Sequence, residues 1–212
     1  MIMDSIIFDV DGTLWDSTEI VAQAWSDCLR NQEHMDIEIT APRLMGLFGQ
    51  LLPDIAKALF PDKEEKEQLR LIENCCQAEH EPLQKTCAPL YPELENTLKI
   101  LSETYPLFIV SNCQAGYIEV FLQSSGLGKY FQGHLCPGDT GLDKAGNLSL
   151  IVEKYHLSSP VYVGDTLGDQ NACKKAGVPF IHAAYGFGQA EHPDGTIACL
   201  SDLPKLCRSW EK

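Results

Sequence analysis

Four short apolar runs, rich in β-branched and aromatic residues, recur along the chain at residues 5–10, 107–111, 160–164 and 178–182. Runs this apolar, with no polar alternation, belong to strands buried on both faces. The segments between most of them have helical periodicity. Residues 93–102, 114–125, 148–156 and 169–176 read as helices, and Gly126 and Gly177 stand where helices stop. Residues 131–136 could add a further short strand. Strands alternating with helices through short links form a parallel sheet covered on both faces. The expected fold class is therefore α/β. The alternation breaks once. Asp16 offers an N-cap, with Glu19 as its capping-box partner, to a helix running to about Arg30 with Val21, Ala24 and Cys28 on one face. Residues 40–87 continue as helical pieces punctuated by Gly46, Gly49, Pro53 and Pro61, and no strand occurs there. An inserted helical domain at residues 17–87 follows, within a core made of 1–16 and 88–212.

Charge narrows the partners. Among 212 residues, 16 basic against 30 acidic side chains leave a net charge of −14. Such a surface repels a phosphate backbone and an anionic bilayer, so neither nucleic acid nor membrane is an expected partner. No apolar run reaches the length of about 18 residues that spans a bilayer. The N-terminal residues carry no secretory pattern. The nine cysteines are odd in number and contain no Cys-x-x-Cys pair. They read as reduced packing thiols in a cytoplasmic protein. A monomer is the default expectation.

Ligands of open parallel sheets bind beyond the carboxyl ends of the strands. Polar residues gather at those ends. Asp9, Asp11, Gly12 and Thr13 follow the first run, Ser111 and Asn112 end the second, and Asp165, Thr166 and Asp169 follow the third. Lys144 lies on a glycine-rich stretch, residues 138–144, ahead of a helix. An isolated Asp after a strand is ordinarily a turn or cap residue. Four converging carboxylates cannot all ionise unless a cation sits among them. Oxygen ligands without nearby His or Cys suit Mg²⁺ rather than zinc. A hard cation beside a lysine and hydroxyls makes a phosphoryl site.

The ordered segments Asp9-Val10-Asp11-Gly12-Thr13, Val110-Ser111-Asn112, Lys144 and Gly164-Asp165-Thr166-Leu167-Gly168-Asp169 resemble the four motifs of the haloacid dehalogenase-like hydrolase superfamily. With Asp16-Ser17 and Tyr91-Pro92, the chain is most similar to its phosphoglycolate phosphatase and β-phosphoglucomutase branch. The resemblance implies a Rossmann-like parallel sheet core with helices on both faces, and an inserted α-helical cap domain. It implies a Mg²⁺-dependent phosphatase that hydrolyses a small phosphorylated metabolite through an aspartyl-phosphate intermediate. Asp9 would be the nucleophile and Asp11 the acid and then the base. Ser111, Asn112 and Lys144 would bind the phosphoryl group. Asp9, the Asp11 carbonyl and Asp165 would hold Mg²⁺, with Asp169 a ligand directly or through water. Asp11 favours an oxygen leaving group over a halide. Where many relatives carry Lys-Pro, this chain has Lys144-Ala145, and Lys154 is a second candidate lysine. Lys57 reads as a solvated helix residue rather than a Schiff-base lysine.

In the cap, residues 42–50 are the expected substrate-facing loop, with Arg43, Gly46 and Gln50 as specificity candidates. A phosphomutase and a non-catalytic phosphate-binding relative are the alternatives. The mutases carry an arginine where Phe48, Gly49 and Gln50 stand here. His134, His156 and His182 read as core or edge residues, and Gly186-Phe187-Gly188 as a structural turn. Trp15 fits either hinge packing or substrate contact.

Overall fold

The computed structural model describes residues 3–210. It contains strands β1 (Ser5–Phe8), β2 (Leu107–Val110), β3 (Phe131–Leu135), β4 (Pro160–Gly164), β5 (Phe180–Ala183) and β6 (Gly195–Ile197). They form one sheet in the order β3-β2-β1-β4-β5-β6, every neighbouring pair parallel. This is a Rossmann-like α/β fold. Alternation along each strand sorts the side chains into two cores. Ile6, Phe8, Leu107, Ile109, Val161 and Val163 face one side, and Ile7, Phe108, Val110 and Tyr162 the other. Ile6, Ile7 and Phe8 are fully buried. At roughly 2 kcal/mol for each such side chain, β1 is held at the centre of the sheet.

Helices cover both faces. Leu98 and Leu101 of α5 (Leu94–Ser102), Phe121 of α6 (Tyr117–Ser125) and Leu203 of α10 (Leu203–Trp210) join the first core. Leu148 and Ile151 of α8 (Lys144–Tyr155) and Ala172 and Cys173 of α9 (Leu167–Ala176) join the second. Between β1 and β2 run α1 (Thr18–Asn31), α2 (Ala41–Met45), α3 (Leu52–Leu59) and α4 (Glu65–Lys85), and one short helix, α7 (Pro137–Thr140), follows β3. Helix α4 packs on α1, α3 and α6. The chain leaves and re-enters the sheet region side by side: Asp16 N–H donates to the Pro89 carbonyl and Tyr91 N–H to the Leu14 carbonyl.

Several boundaries differ from the sequence reading, each for a local reason. Helix α8 starts at Lys144, because Asp143 accepts the Gly146 N–H as its N-cap. Lys144 thus sits in the first helical turn and not in a loop. Helix α9 starts at Leu167, because the Thr166 side chain and Asp169 form a capping box. The box expected at Asp16 and Glu19 is absent: Asp16 accepts from the Thr18 N–H and hydroxyl, and Glu19 is exposed. Strand β6 is three residues long, only one of them a large apolar residue, too short to register as a run. All nine cysteines are free, seven of them buried. Among the described residues no helix is long and apolar enough to cross a membrane.

Candidate active site

Asp9, Ser111 and Asp165 are the first residues beyond β1, β2 and β4, which are neighbours in the sheet. Parallel pairing therefore delivers all three to one edge. Thr166 leads into α9 there and turns Asp169 back toward the same point. Asp9, Asp165 and Asp169 each bring a carboxylate oxygen within 4.8 Å of the others, all three side chains buried. Lys144 Nζ reaches Asp9 Oδ2 at 3.1 Å and Asp169 Oδ1 at 2.5 Å. Asp169 is fully engaged. Its Oδ2 accepts from the Thr166 N–H at 2.9 Å, the Thr166 hydroxyl at 2.7 Å and the Asp165 N–H at 3.2 Å, and its Oδ1 also takes the Tyr162 hydroxyl. Asp165 Oδ2 accepts the Phe187 N–H at 2.7 Å. Asp9 Oδ1 and Asp165 Oδ1, in contrast, are buried with no hydrogen-bond partner.

Two unpartnered carboxylate oxygens in a dry acidic cluster are costly unless a cation meets them. The residues therefore fit a hard divalent ion with oxygen ligands. The electrostatics agree. Burial, with the charges of Asp169 and Asp9, pushes Asp165 up to about 8. Burial raises Asp9 to about 6 against the pull of Lys144 and hydrogen bonds from Ser111 and the Val10 backbone. For Asp169 burial also pushes upward, but Lys144 and Thr166 hold the carboxyl below its usual range. Lys144 stays charged, since its two carboxylate partners outweigh burial. Glycine backbones shape the floor. A Cβ on Gly12, at φ +76°, would lie 2.2 Å from Asp165 Oδ2, and one on Gly186 would lie 2.3 Å from Asp165 Cβ.

Asp11 faces the helical segment. Its Oδ1 accepts from the Ser17 hydroxyl at 2.6 Å, the Tyr117 hydroxyl at 2.7 Å and the Trp15 indole at 2.9 Å. Burial lifts it to about 7 in spite of these donors. Trp15 is fully buried against Tyr117 and Phe121, which makes it packing at the chain crossing. A tight cavity above Asp9 and Asp11 is walled by Ser111, Asn112, Trp25, Phe48, Glu79 and Tyr117, among others, with about 30 Å³ of free space. That is room for a water or two.

Of the loop candidates, Gly46 and Gln50 border a second cavity with Thr166 and Phe187. The Gln50 amide donates to the Gly46 carbonyl. Arg43 is not brought to the site: its guanidinium donates to the Ala58 carbonyl. Asn112 donates to the Gly49 carbonyl at 2.9 Å and so ties the helical segment to the sheet edge. Sequence reasoning named Ser17 only within the family resemblance and Phe187 only within a turn, and it passed over Tyr117, Tyr162 and Glu79. No motif flags them. A buried carboxylate on an otherwise amphipathic helix was the one available hint for Glu79.

A parallel sheet whose central strand ends meet in buried carboxylates, a lysine and a serine hydroxyl defines an α/β protein with an acidic, cation-ready site. A sequence model of the family described as haloacid dehalogenase-like hydrolase matches residues 6–183. The chain belongs to that family of hydrolases. A phosphoglycolate phosphatase of Vibrio parahaemolyticus is 28% identical, with 93% of each chain covered. One from Aquifex aeolicus is 29% identical over 96% of each. The crystal structure of a predicted phosphatase from Clostridium acetobutylicum shares the fold, with a TM-score of 0.85 at 20% identity, covering 99% of this chain and all of that one.

Proposed function

We propose that this chain is a Mg²⁺-dependent phosphatase that hydrolyses a small phosphorylated metabolite through an aspartyl-phosphate on Asp9. Residues 1–16 and 88–212 would act as the catalytic core and residues 17–87 as its cap. The observation that carries this reading is the pair of buried, unpartnered oxygens on Asp9 and Asp165, with Lys144 against the other Asp9 oxygen. The phosphatase names of the relatives support it.

Asp9, Asp165 and the Asp11 carbonyl would hold Mg²⁺, with Asp169 bound directly or behind a water. The bound ion would supply positive charge against the phosphoryl oxygens. Lys144 and Ser111 add hydrogen bonds to the same oxygens. An oxygen of Asp9, ionised for the most part at neutral pH, bonds to phosphorus as the ester P–O bond breaks. Asp11 gives its proton to the departing oxygen. With a pKa near 7 it is protonated in a useful fraction of molecules. Asp11 then takes a proton from water as that water displaces Asp9 from phosphorus. The tight cavity implies that the cap opens for substrate and closes to exclude bulk water.

A mutase would need a cation for a second phosphate, and Arg43 is committed elsewhere. Hydrolysis is therefore preferred. The test is phosphate release from p-nitrophenyl phosphate. Turnover should require Mg²⁺, stop on chelation and vanish in Asp9→Asn. Asp11→Asn should keep the Mg²⁺-induced stabilisation but lose about 10²–10⁴ in rate. Near-normal turnover in Asp9→Asn overturns the reading.

A further inference from the structure

We propose that Glu119, His134 and Asp139 form a second metal site, and that it takes Zn²⁺ rather than Mg²⁺. The inference does not depend on the phosphatase reading. The three residues come from three consecutive elements, α6, β3 and α7, at the β3 edge of the sheet. Each brings a ligand atom within 4.8 Å of the other two. They share no member with the cluster of Asp9, Asp165 and Asp169. Two of the three side chains carry atoms that the fold leaves unsatisfied. Glu119 Oε2 and His134 Nδ1 are both buried without a hydrogen-bond partner. One such atom is a defect of packing; two in a cluster of three ask for a common partner.

The groups do not neutralise one another. Among the described residues His134 forms no ion pair with either carboxylate, and no lysine or arginine pairs with Glu119 or Asp139. Two bonds of about 2.0–2.2 Å to one zinc ion span most of the distance between such donors, and small side-chain rotations close the rest. Asp139 is steadied from behind, because its Oδ2 accepts from the thiol of fully buried Cys136 at 3.1 Å. A bond of that kind orients a ligating carboxylate. Asp139 is also exposed, which gives an ion a way in from solvent. His80 of α4 feels the charge of Glu119 too, but its Nε2 is engaged by the Gln114 amide, so it stands outside the ligand set. Donor chemistry selects the ion. An imidazole nitrogen beside carboxylate oxygens suits Zn²⁺, with water in a fourth position. Mg²⁺ prefers oxygen alone, as the carboxylates around Asp9 offer it.

The test is calorimetric titration of Zn²⁺ into the full chain in saturating Mg²⁺. The wild type should bind a Zn²⁺ that Mg²⁺ does not displace. Glu119→Gln and His134→Gln keep the side-chain bulk and should each weaken that binding at least tenfold. Zn²⁺ should also raise the thermal midpoint of the wild type and leave that of His134→Gln in place, because an ion that ties α6 to β3 and α7 binds the folded chain alone. Asp165→Asn, which disables the carboxylates around Asp9, should retain the Zn²⁺ affinity. If His134→Gln does not fold, Asp139→Asn at its exposed position should show the same loss. No Zn²⁺ binding by the wild type overturns the proposal. So does an affinity kept within threefold in the folded Glu119, His134 or Asp139 variants, which would assign the ion to the cysteines or another surface group. Loss of Zn²⁺ in Asp165→Asn with retention in His134→Gln would place the ion among the carboxylates around Asp9 and overturn it as well.

Discussion

Replacing Lys144 with methionine keeps the side-chain length and removes the charge. The variant leaves two buried carboxylates without their shared cation. They are unequal. Asp169 retains four other donors, from Asp165, two from Thr166, and Tyr162. Asp9 loses its one ion pair, and its other oxygen, Oδ1, is already without a partner. Removing one partner of a buried pair costs about 3–5 kcal/mol, and the support left to Asp169 points to the low end, about 3 kcal/mol at pH 8. Asp9 already titrates near 6 with the lysine present. Without it the folded-state pKa rises further. A carboxyl whose pKa is raised on folding binds more protons in the native state, so the variant loses stability as pH rises. The deficit should therefore shrink on going from pH 8 to 5.5, by about 1.4 kcal/mol for each unit over which one carboxyl differs. Urea denaturation in EDTA, followed by tryptophan fluorescence, measures both values. A deficit under about 1 kcal/mol at pH 8 would contradict the ion-pair reasoning, and so would one that grows on acidification.

Gly12→Ala should cost about 2–4 kcal/mol, because the left-handed backbone strain adds to a collision with Asp165. Gly177→Ala, at φ +71° with open space around it, should cost about 1–2 kcal/mol and leave turnover intact; equal costs in a thermal melt would refute the steric argument. Mg²⁺ at a hundred times its Kd should stabilise the protein by about 2.7 kcal/mol. Asp165→Asn should abolish that gain while leaving the metal-free protein at pH 8 no less stable, since burial opposes the ionised form; a retained Mg²⁺ gain would count against Asp165 as a ligand. Only exposed Cys199 and half-buried Cys87 of the nine thiols should react quickly with a thiol reagent in the native protein. Rapid labelling of all nine without denaturant would contradict the packing role of the rest.

The sheet was legible in the sequence because each central strand is a contiguous apolar run, and burial on both faces demands that pattern. Its strand order was not read from the sequence. Edge strand β6 pairs through three residues and is fastened by Asp194, whose carboxylate takes the Phe180 N–H. That is a contact between segments with no local signature. The reactive edge was legible for a related reason. Asp9, Ser111 and Asp165 each sit one residue past a strand, so finding the strands located them. The helix starts were less so, since Asp143 and Thr166 set them through single side-chain caps.

The chain's local pattern determined the strands, the faces they bury and the polar groups at their ends. Those follow from neighbours in sequence and from the period of the backbone. Tertiary packing alone decided what each carboxylate is. Asp11 meets Tyr117 across 106 positions, Glu79 meets Trp25 across 54, and Asp165 meets the Phe187 N–H across 22. Whether such a group is charged, protonated or waiting for a cation depends on how much water is excluded and which donors arrive. Both are properties of segments brought together by folding, and neither is written in the residues on either side.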